Sequence, residues 1–248
     1  MRLKWGTAEM TRRPRDDERI IILGRTGSGK TMEGLNFLSN ASIDTMPWVM
    51  VDVKRDDLVA KVPVTGIISL TDEIPERPGL YHMPVSLDQM SDYSVDKWLN
   101  RALSRGNVGI YMDEGGRLPA RGTGLRNVLT LGRSARVPLV FLSQRPVWID
   151  TFNLSEAEFI QVFWFQHPDD QAKILEFIPP DLLDFDELRR KGKYWSAYYH
   201  ATEGTLHYFE PGPTFDQIAD KIQNRIPIYE YEGSGHIVGS TIVPRRKL

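Results

Sequence analysis

Residues 24–31 run Gly24-Arg25-Thr26-Gly27-Ser28-Gly29-Lys30-Thr31, filling every fixed position of the pattern Gly-x-x-x-x-Gly-Lys-Ser/Thr. No other stretch of the chain narrows its possible folds as much. Directly before it, residues 20–23 are Ile-Ile-Ile-Leu, an all-apolar run suited to a strand covered on both faces. Directly after it, residues 32–38 read as a helix. A buried strand, a glycine-rich turn and a helix in that order imply an α/β protein. The turn also carries chemistry. Glycines let successive backbone N–H groups point inward around a phosphate, and the following helix adds its positive end. Lys30 is placed to contact β- and γ-phosphates and the Thr31 hydroxyl to ligate magnesium, so ATP with Mg²⁺ is the expected ligand.

The pattern of buried strand and helix repeats along the chain. Strands are expected at residues 48–53, 108–112, 138–143 and 159–165, with weaker signals at 66–70 and 79–83. Val95, Trp98, Leu99, Ala102 and Leu103 make a helical stripe over 95–105, which stops at Gly106. Further helices are expected around 125–133 and over 168–177 and 214–222, and residues 193–199 and 205–209 alternate like a hairpin. The expected architecture is a mostly parallel central sheet with helices on both faces, one domain over residues 19–225. Residues 1–18 read as a flexible lead-in. The tail, 226–248, carries Tyr229, Tyr231 and a basic end, and reads either as a docking segment or as a loose terminus.

Composition excludes several classes. The 248 residues, 41% hydrophobic and 26% charged, suffice for one core. A net charge of −2 gives no overall attraction to polyanions, so any such site must come from local clustering. There is no cysteine, which rules out disulfides and cysteine-ligated metals. Residues 1–19 lack the apolar core of a signal peptide, and no apolar run is long enough to cross a bilayer. An intracellular, soluble protein without stable membrane insertion is expected.

Two more clusters carry function. The strand at 108–112 delivers Asp113 and Glu114, and neighbours at a strand end point in different directions. Asp113 can therefore face a metal while Glu114 faces an attacking water, an arrangement that favours hydrolysis. From 117 to 145 there are six arginines (Arg117, Arg121, Arg126, Arg133, Arg136, Arg145) and no acidic residue. That is a local positive field suited either to a neighbour's ATP or to a nucleic-acid backbone. Gln144 follows the strand at 138–143, where a polar group could sense a γ-phosphate.

Four landmarks in order give the chain a family likeness: the loop 24–31, the strand ending Asp52-Val-Lys54, the pair Asp113-Glu114, and Gly132-Arg133-Ser-Ala-Arg136-Val-Pro-Leu-Val-Phe-Leu-Ser143-Gln144-Arg145-Pro146. Over about residues 19–177 the chain resembles the FtsK/HerA superfamily of P-loop motor ATPases. That resemblance implies a RecA-like fold of the additional-strand class, with the sensor strand between the phosphate-loop strand and the acidic strand. It implies a ring, usually hexameric, with ATP at subunit boundaries and double-stranded DNA in the pore. By matched position Lys30 and Thr31 hold phosphate and magnesium, Asp113 holds magnesium, Glu114 activates water and Gln144 meets the γ-phosphate. Arg133 matches the arginine that reaches into a neighbour's site; at Arg136 relatives commonly carry glycine, so Arg136 shares that candidacy. The loop 115–124, with Arg117 and Arg121, is the candidate DNA contact. The single-domain length resembles the genome-packaging ATPases of tailless, double-jelly-roll viruses, which implies work in the host cytoplasm or on the virion and contact with capsid or vertex proteins. Other DNA motors of the superfamily, in conjugation, plasmid mobilisation or defence, and morphogenesis or export ATPases are the alternatives.

Overall fold

A computed structural model describes residues 12–53, 56–119, 122–231 and 237–241. The chain begins β1 (Arg19–Leu23), α1 (Lys30–Leu38), β2 (Pro47–Asp52), α2 (Asp57–Ala60), β3 (Gly66–Ile67) and β4 (Gly79–Pro84). It continues α3 (Leu87–Ser91), α4 (Ser94–Arg105), β5 (Gly109–Asp113), α5 (Gly124–Ala135), β6 (Leu139–Ser143), α6 (Thr151–Ser155) and β7 (Phe159–Phe163). It ends α7 (Pro168–Leu175), α8 (Phe185–Lys191), β8 (Ser196–His200), β9 (Thr205–Phe209), α9 (Phe215–Gln223), β10 (Ile228–Tyr231) and β11 (Ile237–Thr241).

Nine of these strands form one sheet in the order β3-β4-β2-β5-β6-β1-β7-β8-β9. Pairing is parallel from β3 to β7 and antiparallel across β7-β8-β9. Strand β6, the expected sensor strand, lies between β1 and β5, the position the family likeness implies. Every residue of β1, β2, β5, β6 and β7 is buried, which is why these strands read as largely apolar runs, Gln161 of β7 being a buried polar exception. Alternate side chains feed two cores. Ile21, Val49, Ile110, Phe141 and Ile160 face one way, with Trp98, Leu99, Val128 and Leu129 of α4 and α5. Ile20, Ile22, Met50, Tyr111 and Leu142 face the other way, with Leu35 and Leu38 of α1 and Ile218 and Ile222 of α9. Helix α1 approaches the sheet closely because residue 34 is glycine: a Cβ there would stand 2.9 Å from both Tyr111 and Leu142.

Three local differences from the sequence expectations have physical causes. Strand β3 stops after two residues, because Ser69 N–H bonds Asp72 Oδ2 at 2.7 Å and turns the chain away. Helices α3 and α8 occupy stretches with no clear apolar stripe; Ser86 and Gln89 close a capping box on the first, and Asp184 accepts from two N–H groups of the second. Within the expected tail, β10 and β11 pair as an antiparallel hairpin, and the Tyr229 hydroxyl donates to the Pro78 carbonyl. The basic end, 245–247, lies outside the described residues.

The expected flexible lead-in is, from Arg12 onward, tied to the body. Arg12 and Arg15 bridge Glu18 at 2.6 and 3.1 Å, Tyr198 donates to the Arg12 carbonyl, and Arg19 bridges Glu158 at 2.6 Å. Burial pushes the Glu18 carboxyl up, but the hydrogen bonds and charge of Arg12 and Arg15 outweigh it and hold its pKa at about 2. A depressed carboxylate pKa stabilises the fold above the ordinary value of 4.5, and that stability is lost as pH falls toward 2. Glu18→Gln is therefore expected to lower the melting temperature at neutral pH and to flatten its fall between pH 5 and about 2, measured by thermal unfolding across that range.

Candidate nucleotide site

The site is built where β2, β5, β6 and β1, four neighbours in the sheet, reach their carboxyl ends. Ligands of open α/β sheets bind at that edge. Between β1 and α1 the chain turns with Gly27 and Gly29 at φ 76° and 101°, left-handed values that side-chain-bearing residues rarely adopt. Gly24 is needed for a different reason: a Cβ there would fall 2.3 Å from Ser28 Oγ and 3.0 Å from the Phe163 ring. Gly24 N–H bonds the Ser143 carbonyl at 3.2 Å, which fixes the loop against the end of β6.

Three of the expected residues converge. Lys30 Nζ lies 3.1 Å from Glu114 Oε1, and Gln144 Nε2 donates to that same oxygen at 2.6 Å. The Lys30 and Glu114 side chains are 4% and 3% exposed, so this contact is shielded from water. Glu114 takes a left-handed φ of 56°, ending β5 and swinging its side chain away from the strand. Asp113 is fully buried at the end of β5, in register with Asp52 of β2. Asp52 Oδ2 in turn meets His82 Nε2 of β4 at 3.0 Å. Lys54, the other half of the expected Asp-x-Lys, lies outside the described residues.

A cavity of about 470 Å³ opens over the loop, and its lining includes Thr26, Gly27, Gly29, Lys30 and Thr31. Its volume suits a nucleotide-sized ligand. Arg25 instead turns to the Trp164 ring, 5.2 Å from its centroid.

The arginine stretch divides. Arg145 bridges Asp170 of α7 at 2.8 Å, tying the segment after β6 to that helix, and Arg126 lies 4.3 Å over the Phe152 ring. Arg133 is exposed on the last turn of α5, 3.6 Å from Asp17. Arg136 caps that helix at φ 53°, a left-handed C-cap where glycine is the usual residue. That geometry accounts for the glycine expected there from the family likeness. Neither Arg133 nor Arg136 lines this cavity. The backbone of Arg117 is a short 3-10 turn after Glu114, while its side chain and all of Arg121 lie outside the described residues.

Sequence reasoning did not find the other residues that line the cavity, among them Glu33, Phe163, Tyr194, Pro211, Gly212 and Pro213. Nor did it find Asp170 or His82, which act as partners only because distant segments are folded together.

No family model matches the chain. Among curated proteins it is 32% identical over 213 residues to the DNA packaging ATPase P9 of Enterobacteria phage PRD1, covering 84% of this chain and 92% of that one. The chain belongs to the family of this packaging ATPase. The solved structure of the genome packaging NTPase B204 from Sulfolobus turreted icosahedral virus 2, in complex with AMPPCP, matches 80% of this packaging-family chain and 100% of its own, at TM-score 0.63 and 16% identity. The cytoplasmic domain of the Thermomonospora curvata Type VII secretion ATPase EccC matches 82% of the chain and 28% of its own, at TM-score 0.52 and 15% identity. At such identities these two likenesses speak for the fold alone, an α/β architecture with a mostly parallel central sheet. Among the described residues no helix is long and apolar enough to cross a membrane.

Proposed function

We infer that this chain is the ATPase of a viral genome-packaging motor, hydrolysing ATP to drive double-stranded DNA into a capsid. The likeness to P9 over nearly all of that protein carries the reading, and the Lys30–Glu114–Gln144 contact supports its chemistry. Gly24, Arg25, Thr26, Gly27, Ser28, Gly29 and Lys30 cradle the triphosphate, with Lys30 on the β- and γ-phosphates. Thr31 and Asp113 supply hard oxygen donors for Mg²⁺. Two hard oxygens suit this ion, which is commonly held by one or two protein groups together with substrate phosphates. When bound, Mg²⁺ neutralises charge on the phosphates. Glu114 accepts a proton from the attacking water, and Gln144 holds its carboxylate in place. As a γ-phosphate enters, Lys30 exchanges its partner Glu114 for phosphate oxygen, which frees the carboxylate for that role.

Work requires a second subunit. Arg133 or Arg136 reaches the γ-phosphate of a neighbour in a ring, most simply a hexamer, and hydrolysis releases that clamp. Arg117 and Arg121 touch DNA phosphates in the pore, and capsid or vertex proteins hold the ring at the particle in the host cytoplasm. A motor that ignores sequence uses phosphate contacts. ATPase rate is therefore expected to rise with duplex DNA and the stimulation to weaken as salt increases. Arg117→Ala with Arg121→Ala should lower both the stimulation and its salt dependence, read in a phosphate-release assay over a KCl series. A rate indifferent to duplex DNA at low salt would argue against a DNA motor and for an export or morphogenesis ATPase.

A further inference from the structure

Beyond the loop residues, the cavity is lined by apolar side chains and one buried acidic group. Phe163 stands at the end of β7, Tyr194 just ahead of β8, and Pro211 and Pro213 between β9 and α9. Tyr194 has a left-handed φ of 70°, and its ring reaches to 3.1 Å from where a Cβ on Gly29 would be, so it leans over the phosphate loop. Glu33, three residues after Lys30 on α1, lines the same cavity and is only 7% exposed. Its hydrogen bond from Asn36 Nδ2 is long, at 3.4 Å. Gly212 faces it: a Cβ at 212 would lie 3.1 Å from Glu33 Oε2. The absence of a side chain at 212 keeps the approach to this carboxylate open. Burial raises the Glu33 pKa to about 7, against the hydrogen bonds of Asn36 and Gln161 and the charge of Arg13.

We propose that Glu33 selects the nucleobase, accepting a hydrogen bond from the 6-amino group of adenine and rejecting the 6-oxo group of guanine, while Tyr194, Pro211 and Pro213 hold the faces of the ring. This rests on the nucleotide reading above and adds to it the side chain that enforces the adenine base. With the triphosphate on Lys30 and Thr31, the remaining cavity is the space left for the base. A flat aromatic ring between a tyrosine and two prolines, oriented by one polar group, is the usual economy of a small-ligand pocket. An ionised carboxylate is an acceptor only. It bonds an amino group, and in a site shielded from water it leaves an opposed carbonyl unpaired, which discriminates more strongly than a missing contact does.

The test uses the whole chain and three probes: ATP, GTP and inorganic tripolyphosphate, titrated by calorimetry at pH 8. ATP is expected to bind about tenfold more tightly than GTP, the worth of roughly one buried hydrogen bond. Glu33→Gln, which can both accept and donate, should bring that ratio close to one. Gly212→Ala should weaken ATP several-fold. Tripolyphosphate, which has no base, should bind both variants as it binds the unaltered chain. An unchanged ATP:GTP ratio in Glu33→Gln, or a preference for GTP in the unaltered chain, overturns the proposal. If the unaltered chain binds tripolyphosphate but no base is preferred, Glu33 alone is at fault. If it binds none of the three probes, the nucleotide reading falls and takes this one with it.

Discussion

Glu114→Gln is expected to keep ATP binding and to lose hydrolysis by a factor of about 10²–10⁴, the usual worth of a positioned general base. The change is nearly isosteric. Residue 114 would retain an oxygen to accept from Gln144, so the end of β5 should keep its left-handed turn and the loop its shape. What is lost is proton affinity, together with the charge facing Lys30, so the empty variant is also expected to be less stable. Single-turnover phosphate release measures the loss, and calorimetric ATP binding on the same preparation separates it from a folding or binding defect. Turnover at the normal rate would remove Glu114 from its role.

Lys30→Ala should have two large effects, one on the ligand and one on the empty protein. Affinity for ATP is expected to fall about a hundredfold or more, since hydrogen bonds to a charged partner contribute roughly 1.5–3 kcal/mol each. The second effect follows from the 3.1 Å contact with Glu114, both side chains being almost wholly buried. Removing one partner of such a pair strands the other charge, at about 3–5 kcal/mol. Thermal unfolding without nucleotide should show a marked loss for Lys30→Ala and a partial recovery in the double variant Lys30→Ala/Glu114→Gln, which no longer buries a lone carboxylate. Additive losses in the double variant would mean that the two side chains are not coupled.

The strands that carry the site were the most legible elements. β1, β2, β5 and β6 are buried on both faces, so their side chains report burial directly and their observed ends fall within one residue of the sequence expectation. Each also ends at a chemical marker: Gly24, Asp52, Asp113 and Ser143. Elements held by caps were harder. The Ser86/Gln89 box and the Asp184 cap are visible as residues, but a short helix without an apolar stripe gives them no context. Within the site, the glycine-rich loop and its acidic partner were legible because their spacing is local. The tie from Arg145 to Asp170 and the wall of Tyr194, Pro211 and Pro213 were not, since they depend on where α7 and the β8–β9 hairpin come to rest.

The strand order has a consequence for how the protein comes into being. Residue 19 of β1 aligns with residue 139 of β6 on one side, and Ile20 with Phe159 on the other. Strand β1 is thus made well before either of its neighbours, and contacts so distant along the chain form slowly. A ribosome-bound intermediate carries the complete glycine-rich loop long before Glu114 and Gln144 have a sheet to stand on. Unfinished chains cannot burn fuel, and catalytic competence arrives only with the closed architecture.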